Sequence, residues 1–597
     1  MTSPANITET NMQQPAEKFK GTLKPWVFWP AAVASTIFVT LALVAPHRIN
    51  SIIQTAKDTL ITHSSWYFVA VATGFVLFCI VIAASKAGDI VLGDDDDDPE
   101  YSTGSWFAML FAAGMGIGLV FWGAAEPLSH FLTPPPGTTG DAAHIARASM
   151  SRTFLHWGLH AWAIYVVVGL GIAYAVHRKG RPISIRWALE PVLGKYVDSW
   201  LGNLIDIFAI IGTLFGVATS LGFGVKQVAS GLESMLGITT TSGMLVGLVI
   251  VISGLAALSV ATGLDAGIKL LSNTNLLIAA FLALITLTLG PTTFLFSEFV
   301  QSIGNYLNNL IHLSFQTFAF EPEGVSWLTG WTSNYWGWWI SWSPFVGVFI
   351  ARISRGRTVR QFIVGVMLVP TLVTFLWFSI FGGSALYQEI FEGADFAKGG
   401  SGLNTTTALF QMFERLPASS FLIVGAMILV VIFFVTSSDS GSYVLSMIST
   451  GGDPNPQLWV RLTWATLSGA IAAALLGSSG SDDGMSALQT MSILSALPFS
   501  LVMILICVSL WKALFNEVAI AKREERAMLR ERMKNVVATE VRKQVLSDVA
   551  QAARSHPIET SEGARAFQRK LLAMAKMTKR PKAATKPVEN QSQPPRD

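Results

Sequence analysis

From Pro25 to Trp511 the sequence keeps returning to apolar runs of roughly twenty residues, parted by short polar segments. That is about the length a helix needs to cross the hydrocarbon core of a bilayer. Only 13% of the 597 residues are charged and 51% are hydrophobic, whereas a soluble chain carries about 25% charged residues. These runs predict an all-α, polytopic membrane protein.

Twelve spans are expected, near 25–46, 65–86, 103–132, 145–177, 199–236, 242–262, 266–290, 331–351, 360–385, 420–447, 459–477 and 491–511. The polar first twenty residues and the long first run do not read as a cleavable signal. Residues 1–24 form an N-terminal tail, 25–102 two peripheral helices with an acidic loop, and 291–330 an intervening segment. In that segment Phe299, Ile303, Leu307, Leu310 and Ile311 alternate with polar residues, as in a helix lying on the membrane surface. Cys79 and Cys507 both fall in apolar runs, which speaks against a disulfide framework or a zinc site.

The basic loops set the expected orientation. His177–Arg181 with Arg186 and Lys195, and Arg352, Arg355, Arg357 and Arg360, fall on one side by counting spans, together with both termini. Both termini are therefore expected in the cytoplasm. Asp94–Asp98, five consecutive aspartates, is read as a solvated loop, with a weak calcium site as the alternative. From Lys512 to the end there are 19 Lys and Arg against 10 Asp and Glu. A basic cytoplasmic helix there can lie on anionic lipid at about 1 kcal/mol per basic residue, or simply solubilise the tail.

Three places inside the membrane region carry chemistry. Phe111–Pro127 reads FAAGMGIGLVFWGAAEP, with Gly114, Gly116 and Gly118 alternating in mid-span, and each costs a helix about 1 kcal/mol relative to Ala. Either two helices approach closely at Gly114 and Gly118, or the helix is discontinuous and its freed backbone faces a ligand. Gly337 and Pro344 mark span eight as a second interrupted span, so spans 3–7 and 8–12 (residues 103–290 and 331–511) are expected to be two repeats of five.

The second place is aromatic. Span eight contains YWGWWISWSPF and span four HWGLHAWAIY. On a helix, Trp338, Trp339 and Trp342 share a sector of about 100°, and Trp157, Trp162 and Tyr165 one of about 140°; Trp336 points away and packs. Several ring faces with no carboxylate nearby suit a methylated cation, each ring contributing about 0.5–2 kcal/mol when desolvated. The third place is FFVTSSDSGS in span ten, whose hydroxyls and carbonyls suit a small hard cation such as Na⁺. Alternatively the hydroxyls bond their own helix, and Asp439 pairs with a neighbouring helix. Packing is the expected role of His156 and His160, since no third metal ligand is in view. No hydrolase, metalloprotease, nucleotide or haem motif is found, so neither an enzyme nor a nucleic-acid partner nor a resident cofactor is expected.

Taken together, GMGIG, HWGLHAWAIY, WGWWISWSPFVG and TSSDS resemble the betaine/choline/carnitine transporter family, in order, from about residue 25 to 511. The resemblance implies a LeuT-like five-plus-five inverted repeat preceded by two extra helices, a trimer, a bacterial inner-membrane location and alternating access around a midplane site. It assigns Trp157, Trp162, Tyr165 and Trp339 to an aromatic box for a trimethylammonium head, and Trp338 and Trp342 to the cytoplasmic path. It sets the Gly114–Gly118 backbone, with Gly116, beside the substrate carboxylate. Proton-coupled choline members carry an acid where this chain has Gly118, so a sodium-coupled zwitterion carrier is the implied type, with choline or carnitine transport as the alternative. One sodium site is implied at the carbonyls of Ala112, Met115 and Phe433 with the hydroxyls of Thr436 and Ser437. A second would use Thr213 and Phe345, but Val217 stands where the family has a threonine, unless Thr219 or Ser220 substitutes. A membrane sensor of betaine is a rival class, for which the tail offers no output domain.

Overall fold

The computed structural model describes residues 22–114, 116–262, 265–398, 402–478, 481–555 and 562–577. Among them every regular element is helical, apart from one antiparallel bridge between Val91 and Thr358.

Helix α1 (Pro25–Val44) opens on a proline, whose missing N–H would have no helical partner there anyway. It is followed by α2 (Pro46–Ala56) and α3 (Thr62–Ala84). The first half comprises α4 (Thr103–Gly114), α5 (Ile117–Leu132), α6 (Ala142–Trp157), α7 (Leu159–Ala173), the single turn α8 (Glu190–Leu193), α9 (Trp200–Leu236), α10 (Ser242–Thr262) and α11 (Asp265–Leu289). Between the halves lie α12 (Thr292–Ser314) and α13 (Pro322–Gly330). The second half comprises α14 (Thr332–Arg352), α15 (Val359–Phe391), α16 (Ala408–Glu414), α17 (Ser419–Ser449), α18 (Leu458–Ser478) and α19 (Ser481–Ser555). From Asn516 onward the chain forms a second unit, which contains the rest of α19 and α20 (Glu562–Met577).

Among the described residues, ten helices are long and apolar enough to cross a membrane, at the positions expected for ten of the twelve spans. The other two differ for a local reason. Span three is cut into α4 and α5, of 12 and 16 residues. Span eight is α14, in which Trp, Ser, Asn and Tyr lower the apolar character. The chain is a multi-pass membrane protein.

The helix pairings survive exchange of the two halves. Helix α5 packs on α15 as α14 packs on α7; α10 meets α17 as α18 meets α9; and α9–α17 and α10–α18 are each their own counterparts. A five-plus-five repeat produces this pattern. Helix α12 turns Leu295, Ser302 and Tyr306 inward against α6 and α15 and leaves Phe296, Val300, Leu307 and Ile311 exposed.

One expectation is corrected. Span eight is not interrupted: α14 runs unbroken through Gly337 and Pro344. Proline removes the N–H that would bond the carbonyl four residues back, which is that of Ile340. The Ser343 hydroxyl donates to that oxygen at 2.7 Å and mends the ladder. The second interruption is instead in span four, at Gly158, where φ −98° and ψ −135° divide α6 from α7.

The aspartate run is the expected exposed loop, and two of its carboxylates are paired. Asp95 pairs with Arg178 at 2.6 Å and Asp97 with Arg355 at 3.2 Å. The backbone beside it is strapped to the α14–α15 loop: Leu92 N–H donates to Arg357, Gly356 N–H to Leu92 and Val359 N–H to Ile90.

Candidate functional site

The glycine stretch of span three unwinds where sequence allows it. Gly116 is extended (φ −150°, ψ 176°) and precedes α5 without a side-chain cap. The first amides of α5 therefore lack helical acceptors and sit at the positive end of its dipole. Met115 lies outside the described residues, as do the side chains at Ala112 and Gly114.

Around this terminus is a narrow cavity lined by Gly116, Ile117, Gly118, Leu119, Trp157, Ala161, Trp162, Tyr165, Ser220, Trp338, Trp339, Trp342 and Thr374. All six aromatic residues singled out from the sequence therefore border one space, with Gly116 and Gly118 among them. Ser220 and Thr374 were not foreseen as lining residues.

The break at Gly158 sets the first wall. It leaves carbonyls at the end of α6 without helical donors, and side chains meet them: Trp339 Nε1 donates to His156 O at 2.9 Å and Thr374 Oγ1 to Trp157 O at 3.1 Å. A Cβ at residue 158 would lie 2.4 Å from Phe154 O, so only glycine fits. The rings then meet edge to face: Trp157 and Trp339 at 4.9 Å between centroids, Trp162 and Tyr165 at 5.4 Å, Tyr165 and Trp339 at 6.3 Å. Trp338 stacks on Trp339 at 4.7 Å. The indole N–H groups of Trp338 and Trp342 are buried with no protein acceptor. Trp336 is outside this set and stacks on His160 at 5.3 Å.

Gly118 is fixed by the cage. A Cβ there would lie 2.5 Å from Cη2 of Trp338 and 3.1 Å from Cη2 of Trp157. Any side chain at this position displaces an aromatic wall.

Sequence reasoning missed the residue that anchors the cage from behind. Glu126, two turns along α5 from Gly118, is fully buried. Its Oε2 accepts from Trp157 Nε1 at 2.6 Å and from the Tyr335 hydroxyl; its Oε1 meets His156 Nδ1 at 2.6 Å. His156 is thus a bonded group, and packing describes only His160. An ionisable residue inside an apolar run was itself the available signal.

The implied sodium ligands are placed in part. Phe433, Thr436 and Ser437 lie on α17, which packs against α5. The Thr436 hydroxyl donates to the carbonyls of Ile432 and Phe433, at 2.9 and 3.2 Å. Thr213 is buried with its hydroxyl unpartnered, and Phe345 packs on Trp342 at 5.4 Å. Val217 faces Gly441, and the Thr219 hydroxyl is taken by the carbonyls of Phe215 and Leu488. Asp439 pairs with Arg461 of α18 at 3.2 Å.

The family model of betaine/carnitine/choline family transporters matches residues 26–519. An uncharacterized transporter of Mycobacterium tuberculosis is 48% identical over 509 residues, 84% of each chain. A glycine betaine transporter of Bacillus subtilis is 43% identical over 500 residues, 84% of this chain and 96% of that one. One from Acinetobacter baylyi is 43% identical over 492 residues, 82% of this chain and 73% of that one. A match of this extent, on a multi-pass helical chain with an aromatic cavity beside a broken helix, identifies a transporter of quaternary-ammonium compounds and not an enzyme: the chain belongs to the betaine/carnitine/choline family.

Proposed function

We propose that this protein imports glycine betaine or a close quaternary-ammonium zwitterion, in symport with Na⁺, by alternating access, and so serves osmoprotection. The observation that carries the reading is the meeting, in one cavity, of an uncapped helix N-terminus and a wall of indole and phenol faces. Desolvated rings attract a trimethylammonium head without a membrane-buried charge, while free amides at a helix start attract a carboxylate. The unpartnered N–H groups of Trp338 and Trp342 add donors for that end. Choline has no carboxylate to use them, and the crowding at Gly118 leaves no room for an acidic side chain that would suit a bare cation.

Phe433, Thr436 and Ser437, with the backbone at Ala112 and Met115, are the proposed sodium ligands; Thr213 and Phe345 are secondary, because Val217 offers no oxygen. One Na⁺ moving inward gains about 2.3 kcal/mol per 100 mV and about 1.4 kcal/mol per tenfold gradient. Together these support accumulation of roughly a few hundredfold. A homotrimer, with both termini cytoplasmic and the basic tail against anionic lipid, completes the proposal.

Uptake of radiolabelled glycine betaine into proteoliposomes, with an inward Na⁺ gradient and with K⁺ in its place, is the test. Uptake that requires Na⁺ is expected. A folded protein that ignores betaine and carries choline on a proton gradient would overturn the reading.

A further inference from the structure

Behind the cage, Glu126, His130 and His156 turn one donor atom each toward a common point. Glu126 Oε1, His130 Nε2 and His156 Nδ1 all lie within 4.8 Å of one another, and all three side chains are buried. The oxygen stands 2.6 Å from His156 Nδ1 and 3.4 Å from His130 Nε2.

The outward atoms of two of these groups are already held. His156 Nε2 meets Thr332 Oγ1 at 2.9 Å, and Glu126 Oε2 takes Trp157 and Tyr335. Such outer partners orient a metal ligand and fix which atom faces inward. His130 supplies an independent pointer: neither of its ring nitrogens has a hydrogen-bond partner, although the side chain is buried. A buried polar group without a partner is uncommon and calls for an occupant. Its ring is clamped by Trp331, at 4.4 Å, and Trp327, at 5.5 Å.

We propose that these three residues form a binding site for one first-row transition cation, Zn²⁺ in the first instance, whose occupancy holds the cage in its present arrangement and inhibits transport. Two imidazoles and a carboxylate are a donor set that zinc takes with an open fourth position. Sodium, calcium and magnesium prefer all-oxygen surroundings, so this site is separate from that of the coupling ion. Bonds of about 2.0–2.2 Å in a tetrahedral arrangement set donor atoms about 3.3 Å apart, so Glu126 Oε1 and His156 Nδ1, now 2.6 Å apart, would have to separate, while Glu126 Oε1 and His130 Nε2 at 3.4 Å already stand at that spacing. Arg152, close enough to act electrostatically on His130, opposes a further cation and favours reversible occupancy. A second cavity, lined in part by Trp122, Trp331, Asn334 and Tyr335, borders two residues that touch the cluster, Trp331 on His130 and Tyr335 on Glu126. Because Oε2 of the same carboxylate holds Trp157 and Tyr335, a metal on Oε1 ties those rings to α5 and to His156.

The test is titration of the purified full-length protein with Co²⁺, read by its visible absorption and by displacement with Zn²⁺, so that the readout does not depend on which substrate is carried. One site per chain is expected, weakened at least tenfold by His130→Ala and unchanged by His144→Ala with His312→Ala, two histidines of a separate cavity. Zn²⁺ is expected to inhibit uptake by the native protein and to spare His130→Ala. If that truncation unfolds the protein, His130→Gln, which keeps a polar side chain but no imidazole, takes its place. Absence of a saturable Co²⁺ spectrum, or a titration indifferent to His130 and lost with His144 and His312, would overturn the site. Binding with no effect on uptake would overturn the inhibitory role.

Discussion

Trp157 and Trp339 stand edge to face, 4.9 Å between centroids, and each has its indole nitrogen committed outside the cavity. Trp157 donates to Glu126 and Trp339 to the carbonyl of His156. Both polar edges are thus held from behind, and the ring faces are left for a ligand. The two anchors are coupled, since Glu126 also binds the His156 ring. The proposed methylammonium cage thus rests on one buried carboxylate.

Glu126→Gln tests that dependence. An amide keeps the size but removes the charge, and its NH₂ faces either Trp157 and Tyr335, which are donors and would be left unsatisfied, or His156 Nδ1, which must then accept with its proton moved to Nε2. A buried unsatisfied group costs about 1–3 kcal/mol. Thermal unfolding should fall accordingly and betaine affinity should drop at least tenfold. Unaltered uptake would show that the cage does not rely on this carboxylate.

Trp339→Leu removes a ring face and a hydrogen bond together, whereas Trp339→Phe removes chiefly the bond. Loss of one cation–π contact is worth about 0.5–2 kcal/mol. Binding of glycine betaine, followed by intrinsic fluorescence, should weaken by up to roughly thirtyfold in the leucine variant, with phenylalanine in between. Equal losses in both would place the effect in the bond to His156 and not in the ring.

Gly118→Ala places a methyl group 2.5 Å from Trp338 Cη2. Overpacking of this kind costs about 1–3 kcal/mol, and the ring that must move is part of the cavity wall. The expected result is a higher KM for betaine with the protein still folded. A KM that does not change would mean that Trp338 is free to swing away.

Thr436→Ala separates two uses of one hydroxyl. At present it bonds the carbonyls of its own helix. If it also binds Na⁺, the sodium concentration for half-maximal uptake should rise at least tenfold, with uptake recovering at high sodium. An unchanged sodium curve would assign the hydroxyl to α17 alone.

Helices were the most legible part of the chain, because each apolar run needs only its own length to be recognised. The aromatic residues were legible for a similar reason: Trp338, Trp339 and Trp342 sit close in sequence and share a face. What escaped depends on partners far apart. Glu126 gains meaning from donors 30, 31 and 209 positions away, and in sequence it is one acid before a proline. Gly158 looked like an ordinary helical glycine, yet the Phe154 carbonyl and Phe375 crowd its position. Pro344 misled in the other direction, since the repair by Ser343 depends on a side-chain rotamer that sequence does not specify. The aspartates facing Arg178 and Arg355 were hidden by loop closure over 83 and 258 positions.

The strap between residues 90–92 and 356–359 also limits how the molecule can move. It follows α3 and leads directly into α15, and its bonds run from backbone to backbone. With Arg360 reaching back to the Ala83 and Ser85 carbonyls at 2.8 and 3.1 Å, the two helix ends act as one lever. Were the proposed transport cycle to tilt α15, α3 would be drawn with it, and one of the two peripheral helices would serve as a working arm of the machine.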